Sequence, residues 1–377
     1  MKVLVITSRY PSENNPYNHM FVHIRCVEML RQGINLEVFV PSDQYKNFVF
    51  EGVEVRMLPS KEIVKHFTMD KVLYLHLLNI YPFSSANGWV IYKYILKHNL
   101  PFAMYIHGNE VQKYTSRIYE FNYRIKDVLK WIKKDVFVIP KMKYFVGQTS
   151  KIGNKVLIFP SKWMKEEMER NLNCKISRFE IIPNGIDTSF FSYQNQSEYR
   201  FKLLTIRSLS SKVYDIEKTI EVMSHLPERF TLDIYGQGVY IKKYQKLINK
   251  KRLDNRVKII PTFVEKEEMR NLFRNYGIFI STTKMDSQGI TMMEAISAGL
   301  LVVTTDNSSK REFLVHKING ILGKSPKEIA DRICEACNNE IIFSELTKNG
   351  RASMEQIDIQ KTVELEIKTL SKLIINF

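Results

Sequence analysis

The chain has 377 residues, 44% of them hydrophobic and 25% charged. That is long enough for two ordinary domains with full cores, and the balance excludes a globally disordered chain. The four scattered cysteines, Cys26, Cys174, Cys334 and Cys337, exclude a secreted disulfide framework, while a net charge of +16 directs attention to anionic partners.

Residues 1–7 carry one lysine and a short apolar run. This reads as a first strand, too short for a signal-peptide core or a membrane span. No later segment is long and apolar enough to cross a bilayer, so the expected location is the cytosol, or a membrane surface reached from it. Apolar strands and amphipathic helices then alternate, which predicts an α/β protein with doubly wound parallel sheets. In the first half, residues 3–7, 36–40, 53–57, 72–77, 102–106, 144–147 and 156–159 read as strands, with helices at 20–31, 87–97 and 162–171. In the second half the strands are 202–206, 231–235, 257–260, 278–281 and 301–304. Their helices are 216–225, 239–250, 266–275, 290–298 and 326–338. Cys334 and Cys337 form a C-x-x-C inside that last helix with no second pair beside it, which favours two half-buried thiols over a metal site.

From Lys113 to Lys165 the basic residues are Lys113, Arg117, Arg124, Lys126, Lys130, Lys133, Lys134, Lys141, Lys143, Lys151, Lys155, Lys162 and Lys165. Glu120, Asp127 and Asp135 oppose them, and aromatic residues are interleaved. Such a stretch suits an anionic membrane surface. The plainer alternative is a solvated helix face. Nucleic acid is disfavoured, because no nucleic-acid motif accompanies the charge. The seam between halves falls in Ile181-Ile-Pro-Asn-Gly-Ile-Asp187, where Pro183 and Asn-Gly make a turn. Residues 188–199 are polar with no clear element, and 361–377 read as an amphipathic helix.

Chemistry concentrates in the second half. Arg207, with Lys212 five residues on, follows the strand 202–206, at the carboxyl end where open α/β sheets bind ligands. Gly236 and Gly238 follow the next strand as a G-x-G, weak by itself. The segment Asp286-Ser-Gln-Gly-Ile-Thr-Met-Met-Glu294 then combines a buried strand, a turn at Gly289 and a helix from Ile290 that stops at Gly299. A helix start after a glycine turn aims N–H groups and a positive dipole end at one point, which suits a phosphate. Glu294, one turn in, can accept hydrogen bonds from two vicinal hydroxyls. Asp286, just before the turn, can do the same for a second sugar ring. The bland alternative is a dipole-complementing Glu294 and a solvated Asp286.

The Asp286-x7-Glu294 signature and Pro183-Asn-Gly-Ile-Asp187 resemble retaining glycosyltransferases of family 4, although the family's first acid is usually Glu. The resemblance implies a GT-B fold of two Rossmann-like domains facing a central cleft. Residues 1–183, with the helix 361–377 returning to pack on them, would bind the acceptor, and 184–360 the nucleotide-sugar. It implies that Arg207 and Lys212 clamp the diphosphate. Asp286 would touch the donor sugar and Glu294 the ribose, with Gln288, Gly289, Ile290 and Thr291 forming the turn around the donor. Gly236 would admit the nucleotide, and Phe263 and Val264 would wall the base. In the first half it implies a site role for His107, beside Gly108, near the donor sugar. The loop from Arg9 to His19 would be the acceptor loop, with Tyr10, Asn18 and His19 on the acceptor side. That loop lacks the family's glycines.

The implied activity is transfer from a nucleotide-diphosphate sugar to a glycan or lipid-linked acceptor in bacterial surface polysaccharide synthesis. It would proceed with retention, without metal or cofactor. The alternative is a non-catalytic partner, or nucleotide-binding subunit, on the same fold.

Overall fold

β-Branched and aliphatic side chains dominate Lys2–Thr7, and in the computed structural model this run is β1, an interior strand buried on both faces. Leu4 and Ile6 enter one apolar cluster, while Val3 and Val5 enter another on the opposite face. The structure describes residues 1–149 and 154–375. Lys151 of the basic stretch and the last two residues of the expected C-terminal helix lie outside them. The chain divides into two units, Met1–Gly185 with Ile359–Phe377, and Ile186–Asp358.

Unit 1 adds β2 (Asn35–Pro41), β3 (Lys46–Phe50), β4 (Val53–Leu58), β5 (Lys71–His76), β6 (Phe102–Tyr105), β7 (Lys155–Phe159) and β8 (Phe179–Ile181). They form one sheet in the order β3-β4-β2-β1-β5-β6-β7-β8, parallel except for the β3–β4 hairpin. That hairpin turns through Glu51 and Gly52, both with positive φ, as a two-residue turn matching strand twist requires. The helix Ile359–Ile375 returns to this unit and packs on the helix Met20–Arg31 and on β5 and β6. Gly185 permits the approach, since a Cβ there would meet Thr362 and Ile359.

Unit 2 holds β9 (Lys202–Ile206), β10 (Thr231–Tyr235), β11 (Val257–Ile260), β12 (Ile278–Ser281), β13 (Leu301–Thr305) and β14 (Ile321–Gly323), all parallel, in the order β11-β10-β9-β12-β13-β14. Leu203, Ile278, Ile280, Leu301 and Val303 join one cluster, and Leu204, Phe279 and Val302 the opposite one. With cores on both faces, the polar groups of this sheet are left to the strand ends, which is where function has to sit.

One expected strand is a helix. Residues 144–147 lie in Ile139–Gln148, where Met142, Phe145 and Val146 recur at helical spacing and bury against Tyr92 and Phe102. Tyr144 faces out, 54% exposed, so the short apolar run was one stripe of a helix and not a buried strand. Three strands were not anticipated. β3, β8 and β14 are edge strands of 5, 3 and 3 residues, too short to show a period. Residues 188–199 end in a short 3-10 turn, Ser197–Tyr199.

Candidate active site

The strand order of unit 2 reverses between β9 and β12, so their following loops diverge and leave a crevice at their carboxyl ends. Arg207 leaves β9 there. Its Nη2 donates to Ser281 Oγ at the end of β12 (3.0 Å) and its Nη1 to the Ile206 carbonyl (3.1 Å). Its Nε is buried without a partner, and the guanidinium lies over the Tyr214 and Phe279 rings. Lys212 opens the short turn Lys212–Tyr214, and the next carbonyl, of Val213, accepts the Lys284 N–H (2.8 Å). The loops after β9 and β12 are thereby tied together. Two cations are held at one end of the sheet, and Lys212 has no carboxylate at ion-pair distance among the described residues.

The helix Ile290–Ala298 begins at Gly289, whose φ of 83° needs glycine, and no side chain caps it. Its first N–H groups have no intrahelical acceptor. Asp286 shapes the approach. Its Oδ1 accepts the Gln288 N–H (3.2 Å), its own N–H donates to Ser308 Oγ (3.1 Å), and its carbonyl accepts from Ser309 Oγ (2.9 Å). Beneath this loop lies Lys310, fully buried. Its ammonium donates to the Thr283 carbonyl (2.7 Å), Thr305 Oγ1 (2.6 Å) and Asn307 Oδ1 (2.9 Å). Burial, opposed by the nearby Asp286 charge, pulls its pKa down to about 7.

Glu294 differs from every other acid of this region. It is half-buried one turn inside the helix, and it has no hydrogen-bond partner among the described residues. Burial pushes its carboxyl up to about 7, although Lys266 and Arg207 pull the other way. An acid held this way gains by accepting hydroxyl hydrogen bonds. Ile290 and Val264, both half-buried, pack on the cluster that contains Met292 and Met293, while Phe263 is 52% exposed and Gln288 is buried. Thr291 stays half-exposed on the helix face that carries Glu294.

Gly236 serves the packing of the protein itself. At φ 151°, it leaves space that a Cβ would lose to the Arg207 carbonyl, and a Cβ at Gly238 would meet the Leu209 backbone. The Arg207 N–H donates to the Tyr235 carbonyl (3.0 Å) and the Leu209 N–H to that of Gln237 (2.8 Å). The two glycines thus let the Arg207 loop lie flat across the next strand end.

In unit 1, His107 follows β6 with Nε2 3.1 Å from His76 Nδ1, and its ring lies against Phe21 and Tyr105. Burial, and next the His76 charge, drives its pKa well below the usual value, so the ring is neutral. His19 starts the helix Met20–Arg31 at φ 51°, its Nδ1 2.9 Å from Thr7 Oγ1, and burial lowers it to about 4. Asn18 is half-exposed. Tyr10 is only 5% exposed and its hydroxyl pairs with His23 Nδ1 (2.9 Å), which makes it a core residue of this unit.

The structure adds Ser281, Thr283 and Lys310 to the polar groups at this strand end, none of them singled out in the sequence. The polar triplet Ser281-Thr282-Thr283 ending an apolar strand was a readable signal, whereas nothing in the sequence distinguishes Lys310 from a surface lysine. Cys337 is buried with its thiol 3.2 Å from the Arg200 carbonyl.

Residues 188–353 match the family model described as Glycosyl transferases group 1. A GtfA subunit of a UDP-N-acetylglucosamine–peptide N-acetylglucosaminyltransferase from Streptococcus agalactiae is 29% identical over 175 residues, covering 45% of this chain and 33% of that protein. An alpha-monoglucosyldiacylglycerol synthase from Streptococcus pneumoniae is 23% identical over 237 residues, covering 58% of this chain and 53% of that one. The matches thus span a third to about half the length of these relatives. Among solved structures, HepE from Anabaena in complex with UDP has a TM-score of 0.75 at 15% identity, covering 98% of this chain and 99% of that one. Sucrose-phosphate synthase from Thermosynechococcus elongatus has a TM-score of 0.75 at 13% identity, over 100% and 99%. At such identities the structural likeness shows the fold, the two-domain GT-B architecture. The family match, confined to residues 188–353, makes unit 2 similar to the group 1 glycosyltransferases.

Proposed function

We propose that this chain transfers a sugar from a nucleotide-diphosphate donor, held by unit 2, to a glycan or lipid-linked acceptor held by unit 1. The product would be part of a bacterial surface polysaccharide, made with retention at the anomeric carbon by a protein resting on the cytoplasmic membrane surface. The observation that carries the donor half is Glu294, a half-buried carboxylate with no hydrogen-bond partner among the described residues, one turn inside an uncapped helix at the switch point of the sheet. HepE, whose structure contains UDP, and the diacylglycerol glucoside synthase supply precedent for donor and lipid acceptor.

In this scheme Glu294 accepts two ribose hydroxyls and the N–H groups at Gly289–Met292 receive a phosphate. Arg207 and Lys212 neutralise the charge that grows on the diphosphate as its bond to the anomeric carbon breaks. The acceptor oxygen bonds to that carbon from the same face and passes its proton to the departing phosphate oxygen. Asp286, braced by its loop, orients a sugar hydroxyl. No side-chain nucleophile takes part, so positioning and charge neutralisation supply the rate. The test is to incubate the protein with a panel of nucleotide-sugars and acceptor lipids and measure nucleoside diphosphate release. Release with one donor, slowed on the order of a hundredfold in Arg207→Ala, supports transfer. Binding of nucleotide with no release from any donor would leave a binding subunit instead.

A further inference from the structure

Unit 1 contains a cavity of about 370 Å³. Its walls are the loop 77–81 after β5 and the segment 109–138. Five cations line it, Lys113, Arg117, Lys130, Lys133 and Lys134, against two carboxylates, Glu110 and Glu120. Arg117 pairs with Glu120 (2.8 Å), yet its Nε is buried without a hydrogen-bond partner among the described residues. Lys130 is within reach of Asp127 (3.9 Å). Lys113, Lys133 and Lys134 have no carboxylate at ion-pair distance among the described residues, and Lys133 rests over the Tyr81 ring while Lys134 donates to the Asn109 carbonyl. Glu110 is 5% exposed, with Oε1 accepting the His107 N–H (2.7 Å) and Oε2 buried without a partner. Burial keeps its carboxyl above the usual range and lowers Lys134 to about 8. Five cations against two carboxylates leave the lining with an excess of positive charge.

The helical segment that carries Lys130, Lys133 and Lys134 has a second, unusual face. Ile125, Leu129, Ile132 and Val136 recur at helical spacing and are 81%, 60%, 38% and 57% exposed. Trp131 and Phe137 are 43% and 53% exposed beside them. A stripe of large apolar side chains left in water, on a helix whose other face is cationic, is the pattern of an interfacial element. Among the described residues no helix is long and apolar enough to cross a membrane.

We propose that this cavity binds the phosphate group of an anionic lipid while the Ile125–Val136 stripe enters the bilayer surface. A tetrahedral phosphate offers several acceptors, matching the ammonium groups of Lys113, Lys133 and Lys134 and the vacant Arg117 Nε–H. The apolar stripe on the same helix selects lipid over free phosphate as the source. The inference deepens the membrane reading above and rests on it.

The test titrates the protein with dihexanoyl phosphatidic acid below its micelle concentration, so that headgroup binding is read without a bilayer. Flotation with phosphatidylglycerol vesicles reads the membrane separately. Lys133→Gln with Lys134→Gln should weaken the soluble lipid on the order of tenfold or more at unchanged Tm. Ile125→Ser with Leu129→Ser should leave that binding intact and abolish flotation. Equal soluble-lipid affinity in wild type and the double lysine variant, or no binding at all, overturns the cavity's role. Inorganic phosphate binding as tightly as the lipid overturns the lipid assignment. Wild type failing to float while the soluble lipid binds would sink the membrane reading and leave the headgroup site standing.

Discussion

The two units close their sheets around the same central crossing, β1 beside β5 in one and β9 beside β12 in the other, yet treat it in opposite ways. At the unit 1 crossing the polar side chains are spoken for. Arg25 donates to Glu366 (2.8 Å), Asn184 (2.7 Å) and the Phe21 carbonyl (2.8 Å), and it stacks over Tyr105. Tyr74 donates to the other Glu366 oxygen (2.8 Å). At the unit 2 crossing Glu294, Lys212, the Arg207 Nε and a helix N-terminus have no side-chain partner among the described residues. A satisfied buried network holds a fold together, whereas polar groups left unpaired at a sheet's carboxyl edge remain available to a ligand.

That contrast can be broken by mutation. The largest effect should come from Glu366→Ala, which strands the Arg25 guanidinium, 2% exposed, in the core of unit 1. Denaturant unfolding should register a loss of about 3–5 kcal/mol. The exposed pair Arg170–Glu166 should lose less than about 1 kcal/mol on the same treatment. Next is Arg207→Ala, which should lower kcat by on the order of a hundredfold while Tm changes little. A normal kcat would remove Arg207 from the leaving-group role. Gly236→Ala comes third. Its Cβ meets the Arg207 carbonyl, so it should displace that loop and lower kcat together with stability by about 1–3 kcal/mol.

The smallest effect, and the sharpest, is pH dependence at Glu294. Between its unfolded value of 4.5 and about 7, the folded protein holds a proton that the unfolded chain releases. This carboxyl therefore weakens folding as pH rises through that window. Donor binding runs the other way, because the ionised form accepts hydroxyls. Donor KM should fall as pH rises to about 7 and level off above it. Glu294→Gln should flatten this profile at the weak-binding end.

The unequal legibility of the two crossings follows from the same physics. The elements around the unit 2 crossing were readable because each announces itself locally, as an apolar strand, a glycine turn and a helix. The strands β9 to β13 and the helix from Ile290 follow from their periods. Tyr10 was misplaced because an aromatic after the first strand reads alike whether it meets a ligand or His23. The Arg25–Glu366 pair joins residues 341 positions apart, a contact no local pattern carries. Lys310 looked like any surface lysine, since its three acceptors come from the carboxyl ends of two separate strands and the turns after them. The helix at 139–148 was lost to a four-residue window, too short to tell one stripe of a helix from a strand.

The central claim is that the open crossing of unit 2 holds the nucleotide. Calorimetric titration of UDP, GDP and ADP into the wild type and into Glu294→Gln tests it most directly. One diphosphate should bind the wild type and lose about tenfold in affinity in the variant, with Tm preserved. Equal affinity in both proteins, or no binding of any of the three, would contradict it.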